Sequence, residues 1–243
     1  LELDLQISQD GKVVVSHDAY FHSRYATRPD GSEVKSEDPK EYLYTMPYST
    51  IAKYDVGKRP STVWPGKEQS PAIKPLATEL IDSVENYVKA NGLDPMRYNI
   101  EIKCRKGKDE GKNWPEYHEF VDKCMELLLS KNLGDRLVVQ CIDPRALNYM
   151  HEKYPQVKLS YLIRKMDTDW DTYMGRLNFT PDWLSPEFVI VDQTMVDNCR
   201  KAGIRLVPWT VDNEADIRRI LDLHVEAIIT NYPDRVLKIT RGY

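Results

Sequence analysis

Short apolar runs alternate with longer stretches whose apolar residues recur at helical spacing along most of the chain. That alternation predicts strands joined by helices in repeating β/α units. Strands are expected at Leu1–Ile7, Tyr98–Lys103, Leu137–Cys141, Lys158–Ile163, weakly around Asp182–Leu184, then at Arg205–Trp209 and Ala227–Ile229. Helices are expected over Leu76–Ala90, which stops before Asn91-Gly92, over Pro115–Lys131 and over Arg145–Tyr154. Asp143-Pro144 reads as an N-cap followed by proline at the first helical position. Gln193–Ala202 ends at Gly203, and Asn213–Leu223 follows the last-but-one strand. Seven strands result, whereas a closed β/α barrel needs eight. The expected fold is therefore α/β, a TIM-type (β/α)8 barrel lacking its first β/α unit, in one domain over residues 1–243. Residues 18–70 break the pattern, being rich in Tyr, Pro, Ser and charge without periodicity. They are expected to be an insertion subdomain at the barrel mouth, after the second barrel strand.

Length and composition agree with one such domain. The chain has 243 residues, 41% hydrophobic and 30% charged, enough to bury a core. A net charge of −4 argues against a nucleic-acid-binding surface, whose footprint is usually basic. No apolar run approaches the ~20 residues of a membrane span, so no stable membrane insertion is expected. Cys104, Cys124, Cys141 and Cys199 lie far apart without a CxxC pair, which fits buried filler better than a zinc or disulfide framework. They leave the compartment open; a periplasmic or secreted location is favoured over a cytoplasmic one as an expectation. The chain opens at Leu1 inside a strand, and the expectation is a fragment whose upstream strand and helix are missing.

Candidate chemistry comes from strand alternation. In LELDLQ, Leu1, Leu3 and Leu5 share one face, while Glu2, Asp4 and Gln6 share the other. A half-exposed strand would give the same pattern. In YNIEIK, Ile100 and Ile102 face one way, and Glu101 and Lys103 the other. Barrel strands are covered outside and packed inside, so acids on them must be paired or bound to a cation. Three carboxylates from two strands suit a hard cation, Ca²⁺ or Mg²⁺. His17 follows DGKVVVSHD, in which Asp10-Gly11 is a turn signal and Lys12–Ser16 a short strand. That turn could bring His17 back to the acidic end, beside Asp18. Histidine moves protons near neutral pH, but a surface or capping role would look the same in sequence.

The segment ELDLQISQDGKVVVSHD resembles the glycerophosphodiester phosphodiesterases, where E-x-D precedes a D-G turn, valines and an H-D pair. NIEIK is similar to that family's second carboxylate motif, VVQCID to its V-V-Q-S-F element, and VPWTVDNEADI and AIITNYPDRV to its last two. Cys141 and Ile142 stand where Ser and Phe are usual, Ala227 where Gly is, and Asn231 where Asp is. The family's opening H-R-G and P-E-N-T elements have no counterpart here.

The resemblance implies metal-dependent hydrolysis of a small-molecule phosphodiester to an alcohol and glycerol 3-phosphate. Glu2, Asp4 and Glu101 would bind one divalent cation, and His17 would protonate the departing alkoxide. Lys103 would add positive charge at the phosphate, Gln140 would hydrogen-bond substrate or its neighbours, and Trp209 would line the glycerol carbons. Trp64 and the insertion's tyrosines are candidates to cap the site. Snorkelling would also explain Lys103, and core packing Trp209. Alternatives are a lipid phosphodiesterase of the phospholipase D toxin type, a glycosidase using Glu2 and Glu101, and an inactive metal- or phosphate-binding fragment. The E-x-D spacing and Lys103 beside Glu101 favour a cation and phosphate over the glycosidase.

Overall fold

The alternation of apolar residues in ELDLQI makes β1 (Glu2–Ile7), whose Leu3 and Leu5 are buried. In this computed structural model, which describes residues 1–60, 66–107, 109–167 and 169–241, the chain falls into two compact units. One comprises Leu1 and Leu3–Arg136, the other Glu2 and Leu137–Tyr243. Among the described residues three strands lie in the first unit and four in the second.

In the first unit β1 returns antiparallel into β2 (Val13–Val15), with Leu5 opposite Val15 and Ile7 opposite Val13. Gly11 supplies the turn, at φ 72°, a backbone geometry costly for residues with a Cβ. Asp10 accepts from the Ser8 hydroxyl and from the Tyr48 amide, tying the turn to α1 (Tyr48–Ile51). The turn expected at Asp10-Gly11 is thus present. Ser16 N donates to Asp4 O at 2.9 Å, so the chain comes back to β1 one residue before His17.

The segment after His17 has its own small core. Val14, Phe21, Ala26, Val34, Leu43, Ile51 and Tyr54 are buried together, and Phe21 stacks on Tyr54 at 3.8 Å. Arg28 bridges Asp38 and Glu41, each at 2.6 Å. Trp64 lies outside the described residues. Helix α2 (Ala77–Ala90) buries Ala77, Ile81 and Val88 on one stripe and precedes β3 (Tyr98–Ile102). Helix α3 (Tyr117–Ser130) buries Phe120, Val121, Cys124, Met125 and Leu128. In this unit the strands run in the order β2-β1-β3.

The second unit is a regular parallel alternation. β4 (Leu137–Cys141), β5 (Lys158–Ile163), β6 (Trp183–Pro186) and β7 (Arg205–Leu206) pair successively in parallel. Between and after them lie α4 (Pro144–Lys153), α5 (Trp170–Met174), α6 (Gln193–Ala202), α7 (Glu214–Asp222) and α8 (Pro233–Arg241). Asp143 caps α4 by accepting from Arg145 N, with Pro144 following, as its sequence implies.

Two strand expectations need correction. The strand at Arg205–Trp209 is confined to Arg205–Leu206; beyond it Pro208 has no amide to give, although Trp209 N still donates to Pro186 O at 3.0 Å. Ala227–Ile229 is not a strand. Ile229 bonds to Pro208 O and Val211 N, three positions apart, and the extra residue between them breaks a regular ladder. Among the described residues seven strands remain, because β2 takes the place of that one. All four cysteines are buried, and among the described residues no helix is long and apolar enough to cross a membrane.

Candidate active site

Every second residue of β1 turns to the same face, which carries Glu2 and Asp4 in company; β3 carries Glu101 and, just past its end, Lys103. The convergence expected from sequence is present. One carboxylate oxygen each from Glu2, Asp4 and Glu101 lies within 4.8 Å of the other two. Oxygens held ~2.3–2.6 Å from a single Ca²⁺ stand at most about 5 Å apart, so one cation could bridge this set. The donors are all carboxylate oxygens, which suits a hard cation rather than zinc.

Charge balance explains how such a cluster persists in the fold. Glu101 is only 8% exposed. Burial pushes its carboxyl well up from the usual range; the Lys103 ammonium opposes that, and the Asp4 charge adds to it. Lys103 Nζ is 3.1 Å from Glu101 Oε1 and 3.4 Å from Asp4 Oδ1. Burial disfavours the Lys103 charge, but Glu101 and Asp4 outweigh it and raise its pKa. Lys103 is therefore the counter-charge of the acidic pair, not a snorkelling strand-end lysine.

Gln140, at the end of β4, is 1% exposed and donates from Nε2 to Glu2 Oε1 at 2.9 Å. Behind it the Ser185 hydroxyl donates to Gln140 Oε1 at 3.3 Å and shares a 2.7 Å hydrogen bond with Ser160. Parallel register puts Gln140 beside Ser160 and makes Ser185 the neighbour of Leu162, so three polar groups line one face of adjacent strands. The two serines were not singled out in the sequence. Their signal is a hydroxyl in the middle of KLSYLI and WLSP, where an apolar side chain would be expected. Trp209 is half-buried and anchored by its indole N–H to Ser185 O at 2.7 Å, which fixes the ring.

His17 stands on the return of the hairpin with its side chain 72% exposed, and its Nδ1 faces Asp18 Oδ1 at 3.1 Å. Burial works to raise the Asp18 carboxyl, but hydrogen bonding and charge from His17, with a hydrogen bond from Tyr25, outweigh it and hold Asp18 at about 2. Tyr25 OH donates to Asp18 Oδ2 at 3.1 Å. An anionic Asp18 is a natural acceptor for an Nδ1 proton, which leaves Nε2 as the ring nitrogen that does not face Asp18. Lys74, 5% exposed, was also missed by sequence reasoning; its Nζ lies 2.6 Å from Ser16 Oγ, next to His17.

A model of the glycerophosphoryl diester phosphodiesterase family matches residues 1–235. A glycerophosphodiester phosphodiesterase of Bacillus subtilis (strain 168) is 25% identical over 251 residues, covering 100% of this chain and 77% of that protein. A solved structure of a glycerophosphoryl diester phosphodiesterase candidate from Silicibacter pomeroyi DSS-3 superposes with TM-score 0.82 at 20% identity, over 100% of this chain and 83% of that one. The Oleispira antarctica phosphodiesterase solved in complex with the product sn-glycerol-3-phosphate gives TM-score 0.72 at 20% identity, covering 99% and 84%. The structural likenesses carry the fold. With the family match running through both carboxylate-bearing strands and on to α8, the chain belongs to the glycerophosphoryl diester phosphodiesterase family.

Proposed function

We propose that this chain hydrolyses glycerophosphodiesters to an alcohol and glycerol 3-phosphate, with Glu2, Asp4 and Glu101 holding one divalent cation, Ca²⁺ or Mg²⁺. The observation that carries this reading is the convergence of those three carboxylates with Lys103 among them. The bound cation would supply Lewis-acid stabilisation of charge on the phosphoryl group. Lys103, freed from part of its pairing, would turn its ammonium to a phosphate oxygen. Gln140, already bonded to Glu2, would hold that ligand's orientation. As a water oxygen bonds to phosphorus and gives up its proton to solvent, the P–O bond to the alcohol breaks and His17 would give its Nε2 proton to the departing alkoxide oxygen, with Asp18 having balanced the imidazolium charge until then. Trp209, fixed through its indole N–H, would wall the glycerol carbons.

The same reading closes the α/β sheet as a TIM-type barrel with the site at the strand ends, where such barrels place their chemistry. Residues 18–70 would form the subdomain at its mouth, and a periplasmic or secreted location follows as part of the proposal.

Calorimetry of the EDTA-dialysed chain with Ca²⁺ and with Mg²⁺, followed by turnover of glycerophosphocholine, tests it. Saturable binding with turnover that EDTA abolishes is expected. Turnover that is indifferent to EDTA would remove the cation from the mechanism, and metal binding without turnover would leave a binding fragment.

A further inference from the structure

Burying an ammonium without a counter-ion is costly, so a lysine in that state invites an explanation. Lys74 is such a lysine. It is 5% exposed, and its Nζ is held by the neutral Ser16 hydroxyl at 2.6 Å, with the Phe21 and Tyr25 rings 5.5 and 5.4 Å away. Among the described residues no carboxylate comes within ion-pair distance of it. The acid that influences it most, Asp18, is already engaged by His17 and Tyr25. Burial lowers its pKa to about 8, which leaves it charged at neutral pH.

Lys74 lines a cavity of about 240 Å³ whose wall also includes Val15 and Pro75. Arg59 and Lys67 add two more cationic side chains, and among the described residues no acidic one lines it. Arg59 is fixed by donating to Ser23 O and Ala26 O, and its partner acid Glu33 is exposed and lies off the cavity wall. The remaining wall includes Val56, Ile73 and the Tyr25 ring. The volume lies just below the ~300 Å³ at which drug-sized pockets begin, which suits a small molecule rather than a lipid chain. Three cations, no anion and an apolar wall describe one class of occupant.

We propose that this cavity binds a small organic anion, whose carboxylate or phosphate pairs with Lys74 and Arg59 and whose apolar body lies on Val56 and Ile73. The site is separate from the cation ligands, since none of Glu2, Asp4 and Glu101 lines it, and it does not rest on the phosphodiesterase reading. Its Tyr25 wall bonds Asp18, the partner of His17, so occupancy would be felt at the imidazole.

The test is an ¹H–¹⁵N NMR titration of the EDTA-dialysed full chain with sodium butyrate, sodium formate and inorganic phosphate. Amides of Tyr25, Val56 and Ile73 are followed alongside those of Glu101 and Lys103. Saturable shifts in the first group with butyrate are expected, stronger than any with phosphate, which lacks the apolar body, and Lys74→Met should weaken them about tenfold or more. Formate should bind at least about threefold more weakly than butyrate because it lacks the apolar body. Should Lys74→Met fail to fold, Lys67→Gln at an exposed position provides the second variant, with a loss of about threefold expected. Shifts confined to Glu101 and Lys103, or affinity unchanged in the folded variant, would overturn the proposal.

Discussion

Lys103 Nζ, just past the end of β3, lies 3.1 Å from Glu101 Oε1 two positions back along the chain, and so gives the buried acid its counter-charge. Lys103→Met would leave Glu101 and Asp4 facing each other without a cation. In EDTA the variant should lose roughly 2–4 kcal/mol of stability, the cost of breaking a largely buried pair. Adding Ca²⁺ or Mg²⁺ should recover most of that loss. Thermal unfolding with and without the ion measures both; an equal loss in both conditions would mean that ion and lysine do not share this place.

Glu101→Gln keeps the shape and removes the charge that a cation needs. Cation affinity in calorimetry should fall at least about tenfold. The carboxyl is pushed up by burial, so wild-type affinity should tighten as pH rises and that proton leaves, and the variant should lose this dependence. Unchanged affinity would take Glu101 out of the ligand set.

His17→Ala tests the proton donor. The side chain is 72% exposed, so the fold should be unaffected and cation binding nearly so, while turnover of glycerophosphocholine drops by about 10²–10⁴-fold. Wild-type turnover would refute the role.

Asp18 adds a stability readout. Its carboxyl titrates at about 2 in the folded chain against 3.8 ordinarily, so its contribution is present above pH 3.8 and disappears as pH falls through about 2. Asp18→Asn should cost about 1 kcal/mol at pH 7, a figure reduced for partial exposure. Urea unfolding at pH 7 and pH 2 should show that difference shrinking at the lower pH.

Lys74 behaves in the opposite sense. Folded, it releases its proton near about 8, against 10.5 ordinarily. Between those values the unfolded chain binds more protons, so stability rises with pH across that window. Lys74→Met should flatten the rise and, without the buried charge, be more stable at pH 7 by roughly 2 kcal/mol. Urea denaturation at pH 7, 9 and 10 checks this; a slope equal to the wild type's would place the titration elsewhere.

The features most legible in the sequence were those set by strict periodicity. Alternation in ELDLQI and YNIEIK put Glu2, Asp4 and Glu101 on the faces where they meet, and Asp143-Pro144 marked the start of α4. Less legible was what depends on pairing between distant segments. AIIT has strand composition, yet Ile229 meets Pro208 and Val211 out of regular step, which composition does not encode. Lys74 sits between Ile73 and Pro75 in a connection, where a lysine reads as solvated; its burial comes from Phe21 and Tyr25, some fifty positions earlier. The polar pair Ser160 and Ser185 likewise gains meaning only when β5 and β6 lie side by side.

The bond from Gln140 to Glu2 spans 138 positions of chain. During synthesis, Asp4 and Glu101 can come together before Gln140, one of the groups that hold Glu2, has been made. Contacts of such long range close late in folding. If the chain binds a divalent ion as proposed, high-affinity uptake would then be one of the last events in maturation, and a nascent chain stopped before β4 would bind the ion only loosely.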